Sequence, residues 1–556
     1  MNHKFKQDIC SLPIWLRLVL IGITVTLTSC GSGNEDSSAS APSGAVALNQ
    51  GAAWNPANQA SFYSSDQGSW IMPYEWAKAL KLANGQSFLS QLTTSYGYIP
   101  NPVSPTNPEG LPVGFLVANP GTKNQQLSMN CAACHTRQIQ VDGIKHRIDG
   151  GPAVANLYAL FQGIDLVVGN TLSNAEAFDA FQAAVQVPAA TLRKELSTWY
   201  TPYNTLMSRA LPTAPWGIGR ADAVAMLQNR SSGLDIGPVA NQHIIASNIA
   251  VAAQPVRYPF IWNSGKQDFT QWAGTSINGD ATYALSRNTG EALGVFALFK
   301  PRSNAAVAGG VDFLVENSIN YKAVLNIQTL VNQIGPPQWP WPVDNALVFQ
   351  GKGLYEKNCV SCHGIKQGQP RPGNPNTWAT PVQNVNTDSS YYKNFVVPTT
   401  SSGILTGLTV PFSTNIVPAS GAASVSLFDV ANSSALVQRD PSIDLSIKAP
   451  NRAVGSFESK VLQGIWAAAP YLHNGSVPTL AALLTPAAAR PTSFQVGPVY
   501  DLVNVGLAVE QPNGSATVRV TTDCATMEGN SRCGHEFGTW LTQDEKTALI
   551  EYLKTL

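Results

Sequence analysis

Two short runs in this chain combine residue types whose spacing points to one chemistry: Asn130-Cys131-Ala132-Ala133-Cys134-His135 and, much later, Asn358-Cys359-Val360-Ser361-Cys362-His363. Both are C-x-x-C-H, the attachment signature of c-type haem. The order follows from the cofactor. Paired thiols add to the two vinyl groups of one haem, and the adjacent imidazole reaches its iron as proximal ligand. A zinc site would need four protein ligands gathered at one point, and a thioredoxin-like dithiol has no use for a histidine in both copies. The residues therefore predict two covalently bound c-type haems, one on Cys131, Cys134 and His135 and the other on Cys359, Cys362 and His363.

A buried haem iron takes a sixth ligand unless the protein keeps that place open. For the first iron, His146 follows His135 closely enough to swing onto it, whereas His243, in Asn-Gln-His-Ile-Ile, reads as a structural or surface residue. For the second iron the candidates are His535, His473 and Met527.

Elements must hold these groups. The run Gly351-Lys-Gly-Leu-Tyr-Glu-Lys-Asn358 predicts a short helix entering the second motif. The chain closes with a capping box, Leu541-Thr542-Gln-Asp-Glu545, and with Leu549, Tyr552, Leu553 and Leu556 on one helical face. Residues 343–556 therefore resemble a mono-haem cytochrome c unit carrying a large insertion. Toward the first motif, Trp76-Ala-Lys-Ala-Leu-Lys-Leu82 has helical spacing, Ile148-Asp-Gly-Gly-Pro152 is turn chemistry, and 153–161, 175–185 and 189–199 read as helices. Between 334 and 343, prolines remove donors and fix φ, which excludes helix or central strand and suggests a domain boundary. The expected fold is mostly α: two cytochrome c-like haem domains, 61–335 and 343–556, with long irregular insertions and few short strands.

Charged residues are 12% of the chain, against about 25% in an average domain, and Lys+Arg 34 balances Asp+Glu 34. No basic field exists to hold nucleic acid, so partners should be small, neutral or apolar. With 45 Gly and 38 Pro the chain should be rich in loops. Cys524 and Cys533, close together in a Gly/Ser/Asn-rich stretch, read as a disulfide in an oxidising compartment. Lys4, Lys6 and Arg17 precede an apolar run over 18–27 that is too short to span a membrane, so 1–30 reads as a secretion signal and 31–60 as a flexible tether. Leu27-Thr28-Ser29-Cys30 resembles the bacterial lipobox. With Gly31 and Ser32 after the cysteine, the resemblance implies a lipid anchor on Cys30 and a place on the periplasmic side of the envelope, the outer membrane being favoured.

From residue 67 onward the chain resembles the bacterial di-haem cytochrome c peroxidase superfamily, closer to the branch of the di-haem rubber oxygenase than to the methylamine-utilisation di-haem enzyme. The resemblance rests on the two haem motifs and on Trp216-Gly-Ile-Gly-Arg-Ala-Asp222, Trp262-Asn263, Gln271-Trp272-Ala-Gly274, Arg287-Asn-Thr-Gly-Glu291-Ala-Leu-Gly294, Pro470-Tyr-Leu-His-Asn-Gly-Ser476 and Gly534-His-Glu-Phe-Gly538. It implies that the His135 haem reacts with O₂ or peroxide, acting on an apolar organic substrate or a redox partner protein, while the six-coordinate His363 haem relays electrons. It also places Trp262 between the haems, and Trp272 is read as packing. The family's Gln-x-Trp-Asp-Gly-Arg-Ala stands here as Thr270-Gln-Trp-Ala-Gly-Thr-Ser276, with Asp280 the nearest acid in the expected place and Ile277 where the oxygenase branch carries an aromatic. Ordinary cytochrome c peroxidase activity is disfavoured by that change. The peroxidase loop Pro-Tyr-x-His-x-Gly precedes a Met ligand, yet 481–490 contains no Met, Tyr or His. Among the remaining candidates His535, just ahead of the closing helix, is preferred over His473 and Met527. The alternative reading is a non-catalytic electron-transfer cytochrome with two six-coordinate haems.

Overall fold

Strand rather than helix brings the chain into the first motif. The computed structural model describes residues 44–556 apart from 238–242, 397–400 and 513–516. A short strand Val46–Ala47 (β1), helix Pro56–Ser64 (α1), strand Ser69–Pro73 (β2), helices Tyr74–Ala79 (α2) and Phe88–Thr94 (α3), and strands Phe115–Ala118 (β3) and Gln126–Met129 (β4) come first. β4 lies between β2 and β3, antiparallel to both, and runs directly into Asn130. The Asn130 side chain accepts from Ala132 N at 3.0 Å and so starts the single tight turn Cys131–Ala133. Gly114 lets β3 approach that turn: an added Cβ would stand 2.1 Å from Ala133 N.

After His135 the strands Thr136–Val141 (β5) and Ile144–Asp149 (β6) form a hairpin, with β1 added parallel along β6. Asp142 and Gly143 at its tip both take positive φ, 49° and 80°, as a two-residue hairpin turn requires. Helices Leu157–Ser173 (α4), Ala175–Val185 (α5) and Ala189–Ala210 (α6) then pack into one core with β2, β3 and β4. α5 has the expected bounds; α4 waits for the Asn156 cap, and α6 runs on through Pro202.

The expectation of a mostly α fold is overturned. Of the described residues 37% are helix and 15% strand, with short strands spread over several two- and three-stranded sheets. Nor are two separate haem domains seen. One core joins Leu48, Phe62 and Trp262 to Trp466, Tyr471 and Leu549 across the Pro-rich segment, and Ala39–Leu556 forms one compact unit. Within the stretch expected to be a tether, residues from 44 onward supply β1 and the Asn55 cap of α1. The expected signal, Cys30 and the rest of the tether lie outside the described residues. Among the described residues no helix is long and apolar enough to cross a membrane.

The second motif is entered as expected. After Ala223–Asn229 (α7), Ala281–Gly294 (α8) and Tyr321–Val331 (α9), helix Asn345–Asn358 (α10) feeds Cys359, and Val360–His363 (α11) carries the rest of the motif. Ser424–Arg439 (α12), Leu480–Leu483 (α13) and Gln543–Lys554 (α14) complete the helices used below. α14 has the full Thr542/Glu545 capping box. It crosses α10 at Gly351, where an added Cβ would lie 2.0 Å from Ala548 O.

Candidate haem sites

Each motif presents its imidazole in the form that ligates iron. His135 Nδ1 lies 3.0 Å from the Pro259 carbonyl and His363 Nδ1 lies 2.7 Å from the Lys460 carbonyl. A carbonyl only accepts, so in each ring Nδ1 carries the proton and Nε2 keeps its lone pair for the metal. Burial pushes the His135 imidazole down to about 4, against a smaller opposing pull from Pro259, and burial lowers His363 as well. Both rings are therefore neutral at pH 7. Cys131, Cys134, Cys359 and Cys362 are free thiols. Among the described residues no three His, Cys, Asp or Glu side chains converge as a protein-only metal site would require. Two free thiols followed by an imidazole whose Nε2 lone pair is available are the donor set that a c-type haem takes.

The two imidazoles differ in what faces them. The His535 ring stands opposite His363 with centroids 6.1 Å apart. Two metal–imidazole bonds of about 2 Å and two nitrogen-to-centre distances of about 1 Å span about 6 Å, so an iron fits between these rings. Burial, with His363 next in weight, pushes His535 down to about 4. The other candidates are engaged elsewhere. His473 is stacked on Phe457 at 3.7 Å, Met527 Sδ lies 4.0 Å from Ser389 Oγ, and His146 packs its ring against Trp341 at 5.2 Å. His243 Nδ1 lies 3.4 Å from Gly237 O. His135 has Tyr258 as its aromatic neighbour, at 6.5 Å, and among the described residues no second imidazole is in ring contact with it.

One further acid bears electrostatically on the first motif. Glu291 on α8 accepts from Gln271 Nε2 at 2.8 Å and lies 3.8 Å from Arg287 Nε. Burial first and the Glu291 charge second push the Cys131 thiol up to about 12. The acid's signal in the sequence is the run 287–294, where Glu291 follows Arg287 by one helical turn. Asp280 instead caps α8, accepting from Tyr283 N at 2.9 Å, and Ile277 is core, paired with Phe269.

Two backbone stretches carry the braces of both proximal rings and touch each other. From one, Pro259 holds His135, and Phe260 stacks on Trp262 at 4.7 Å. From the other, Lys460 holds His363, and Gln463 O accepts from Trp262 Nε1 at 2.7 Å. The Lys460 ammonium pairs with buried Glu458 and sits 5.5 Å over Phe260 and 5.8 Å over Trp272. Trp272, expected to serve packing alone, also bonds Arg257 O at 3.1 Å and lies in this same junction.

Residues 456–495 match the family described as RoxA-like, cytochrome c-like. The RoxA-like segment contains the Lys460 brace of His363, the loop bearing His473, and Arg490 behind His535. It supports a cytochrome c-related, haem oxidoreductase-like protein with covalently bound c-type haem. Uncharacterized protein y4iJ of Sinorhizobium fredii (strain NBRC 101917 / NGR234) is 28% identical, over 90% of this chain and 92% of its own length. Uncharacterized protein y4iM of the same strain is 26% identical over 50% of this chain and 55% of its own.

Proposed function

We propose that the protein is a di-haem c-type oxidoreductase of the cytochrome c peroxidase-like superfamily, in which the His135 haem meets O₂ or peroxide and the His363 haem relays electrons. The observation that carries this reading is the asymmetry of the imidazoles: His363 faces His535, while among the described residues His135 has Tyr258 and no second imidazole in ring contact. Cys131, Cys134 and His135 would hold the first haem; Cys359, Cys362, His363 and His535 the second. Bound there, haem supplies an iron that changes oxidation state and can take a small oxidant at an open face.

The chain's own groups set the conditions. Pro259 and Lys460 fix both proximal tautomers. Glu291, held by Gln271 and Arg287, offers a carboxylate oxygen that can take or give a proton within electrostatic reach of the first motif. Phe260, Trp262 and Trp272 fill the junction between the two braces with π systems. The partner is a small oxidant together with an apolar organic substrate or a redox protein, and the expected setting is the periplasmic side of the envelope, anchored through Cys30. Spectra of the purified holoprotein with O₂, peroxide and CO in turn test the reading. CO should bind the reduced first haem alone; a protein low-spin at both haems in both redox states, and inert to CO, is the non-catalytic cytochrome instead.

A further inference from the structure

We propose that Arg490 is the positioning residue that keeps His535 in axial reach of the second haem, an inference that rests on His535 being that ligand. The rings of His135 and His363 are each oriented through their own Nδ1. His535 has no such brace from another segment: its Nδ1 is buried, and the backbone group that bears on it is its own. Its direction is therefore inherited from its backbone. That backbone is held in a conformation that a side chain rarely takes, with φ of 51° at His535 and 75° at Gly534. An added Cβ on Gly534 would lie 2.3 Å from the carbonyl carbon of Asn386, so the loop is pressed against the neighbouring chain segment. His535 N donates to Val385 O there, at 2.8 Å.

Arg490 supplies the remaining hold. Its side chain is buried, and its guanidinium makes five hydrogen bonds, each to a backbone carbonyl. Nε donates to Thr485 O at 3.1 Å; Nη1 donates to Arg532 O at 2.6 Å and Gly534 O at 2.8 Å; Nη2 donates to Leu483 O and His535 O, both at 3.2 Å. Three acceptors belong to the ligand loop and two to the last residue of α13 and the turn after it, so one planar group fastens the loop to the body of the protein. The Cys524–Cys533 disulfide ties the chain immediately ahead of that loop. A guanidinium carries five N–H donors in a fixed fork, whereas a lysine ammonium carries three on a flexible stem. Arg490→Lys must therefore leave buried carbonyls unpaired and let the loop relax.

The test uses holoprotein of wild type, Arg490→Lys and His535→Ala, followed by ferric absorption and electron paramagnetic resonance of the second haem and by the rate of cyanide binding to it. Arg490→Lys should keep both haems covalently attached but turn part of the second haem high-spin, or admit cyanide about tenfold faster or more, and added imidazole should restore the low-spin form. If Arg490→Lys matches wild type in spin state and cyanide rate while His535→Ala loses the low-spin form, the role of Arg490 is overturned and the ligand reading stands. If His535→Ala leaves the second haem low-spin, the ligand reading fails and takes this inference with it. Should Arg490→Lys not fold, heating wild type decides: low-spin coordination must be lost together with far-ultraviolet ellipticity, and an earlier, separate loss overturns the inference.

Discussion

Single residues divide the proposed work unequally between the two candidate haem sites. Glu291→Gln removes a proton-transfer group while keeping the bond from Gln271 in reach, so peroxide turnover should fall by about 10²- to 10⁴-fold. Asp280→Asn keeps a good helix cap and should change little. Equal rates for Glu291→Gln and wild type in a stopped-flow peroxide assay would remove the acid from the reaction. Trp262→Phe keeps an aromatic ring on Phe260 but loses the bond to Gln463 O. Both haems should remain, while oxidation of the second haem after peroxide reaches the first should slow. Trp272→Phe belongs in the same experiment as a second relay candidate, because its indole shares the Lys460 junction. If neither variant slows inter-haem transfer, these tryptophans are core. His473 makes a different prediction. Burial pushes it from an ordinary 6.5 down to about 3. Below about pH 6.5 the unfolded chain gains a proton there that the folded one does not, so this group lowers stability as pH falls and has no effect above that window. Denaturation midpoints of His473→Gln should therefore depend less steeply on pH between about 6.5 and 4 than those of wild type.

At the scale of elements, the crossing of α10 and α14 is the most sharply defined contact. Gly351→Ala places a methyl where Ala548 O already stands and should cost about 1–3 kcal/mol, seen as a lower midpoint in thermal or denaturant unfolding. An unchanged midpoint would mean that the helices slide apart freely. Both helices are legible in the sequence because they announce themselves locally, by the Thr542/Glu545 capping box and by the run of residues into Cys359. The surroundings of the first motif are less so. Thr136-Arg-Gln-Ile-Gln-Val141 alternates polar and apolar residues and is a strand, but so short a run becomes a strand only through its pairing with β6. Trp76 begins a plausible helical face, but α2 stops after Ala79, and β4 is the element that reaches Cys131. His535 is legible as a ligand candidate; its opposition to His363 is not, since that depends on a backbone turn fixed by carbonyls at 483, 485, 532, 534 and 535. Glu291 escapes because its electrostatic reach to Cys131 depends on how α8 packs.

The whole molecule is closed by contacts between distant parts of the chain. Arg137, just past the first motif, donates to the carbonyl of Ala469, and the core around Trp262 draws on Leu48 and Leu549 alike. Cys131→Ala and Cys359→Ala should each weaken or abolish attachment at one site, read as haem mass on the intact chain; two fully attached haems in either variant would contradict the assignment. The closure also fixes a sequence of events. In a chain that closes without haem, burial pushes the thiols of Cys131 and Cys134 up to about 12 and that of Cys359 to about 11, so all three are held as neutral thiols. A thiol in that state is a poor nucleophile. Yet the first motif is made long before the residues that close over it, and contacts spanning so much of the chain form slowly. The interval between synthesis and closure is therefore the time in which the cysteines are open to reaction, and a chain that closes early locks itself out of its own cofactor.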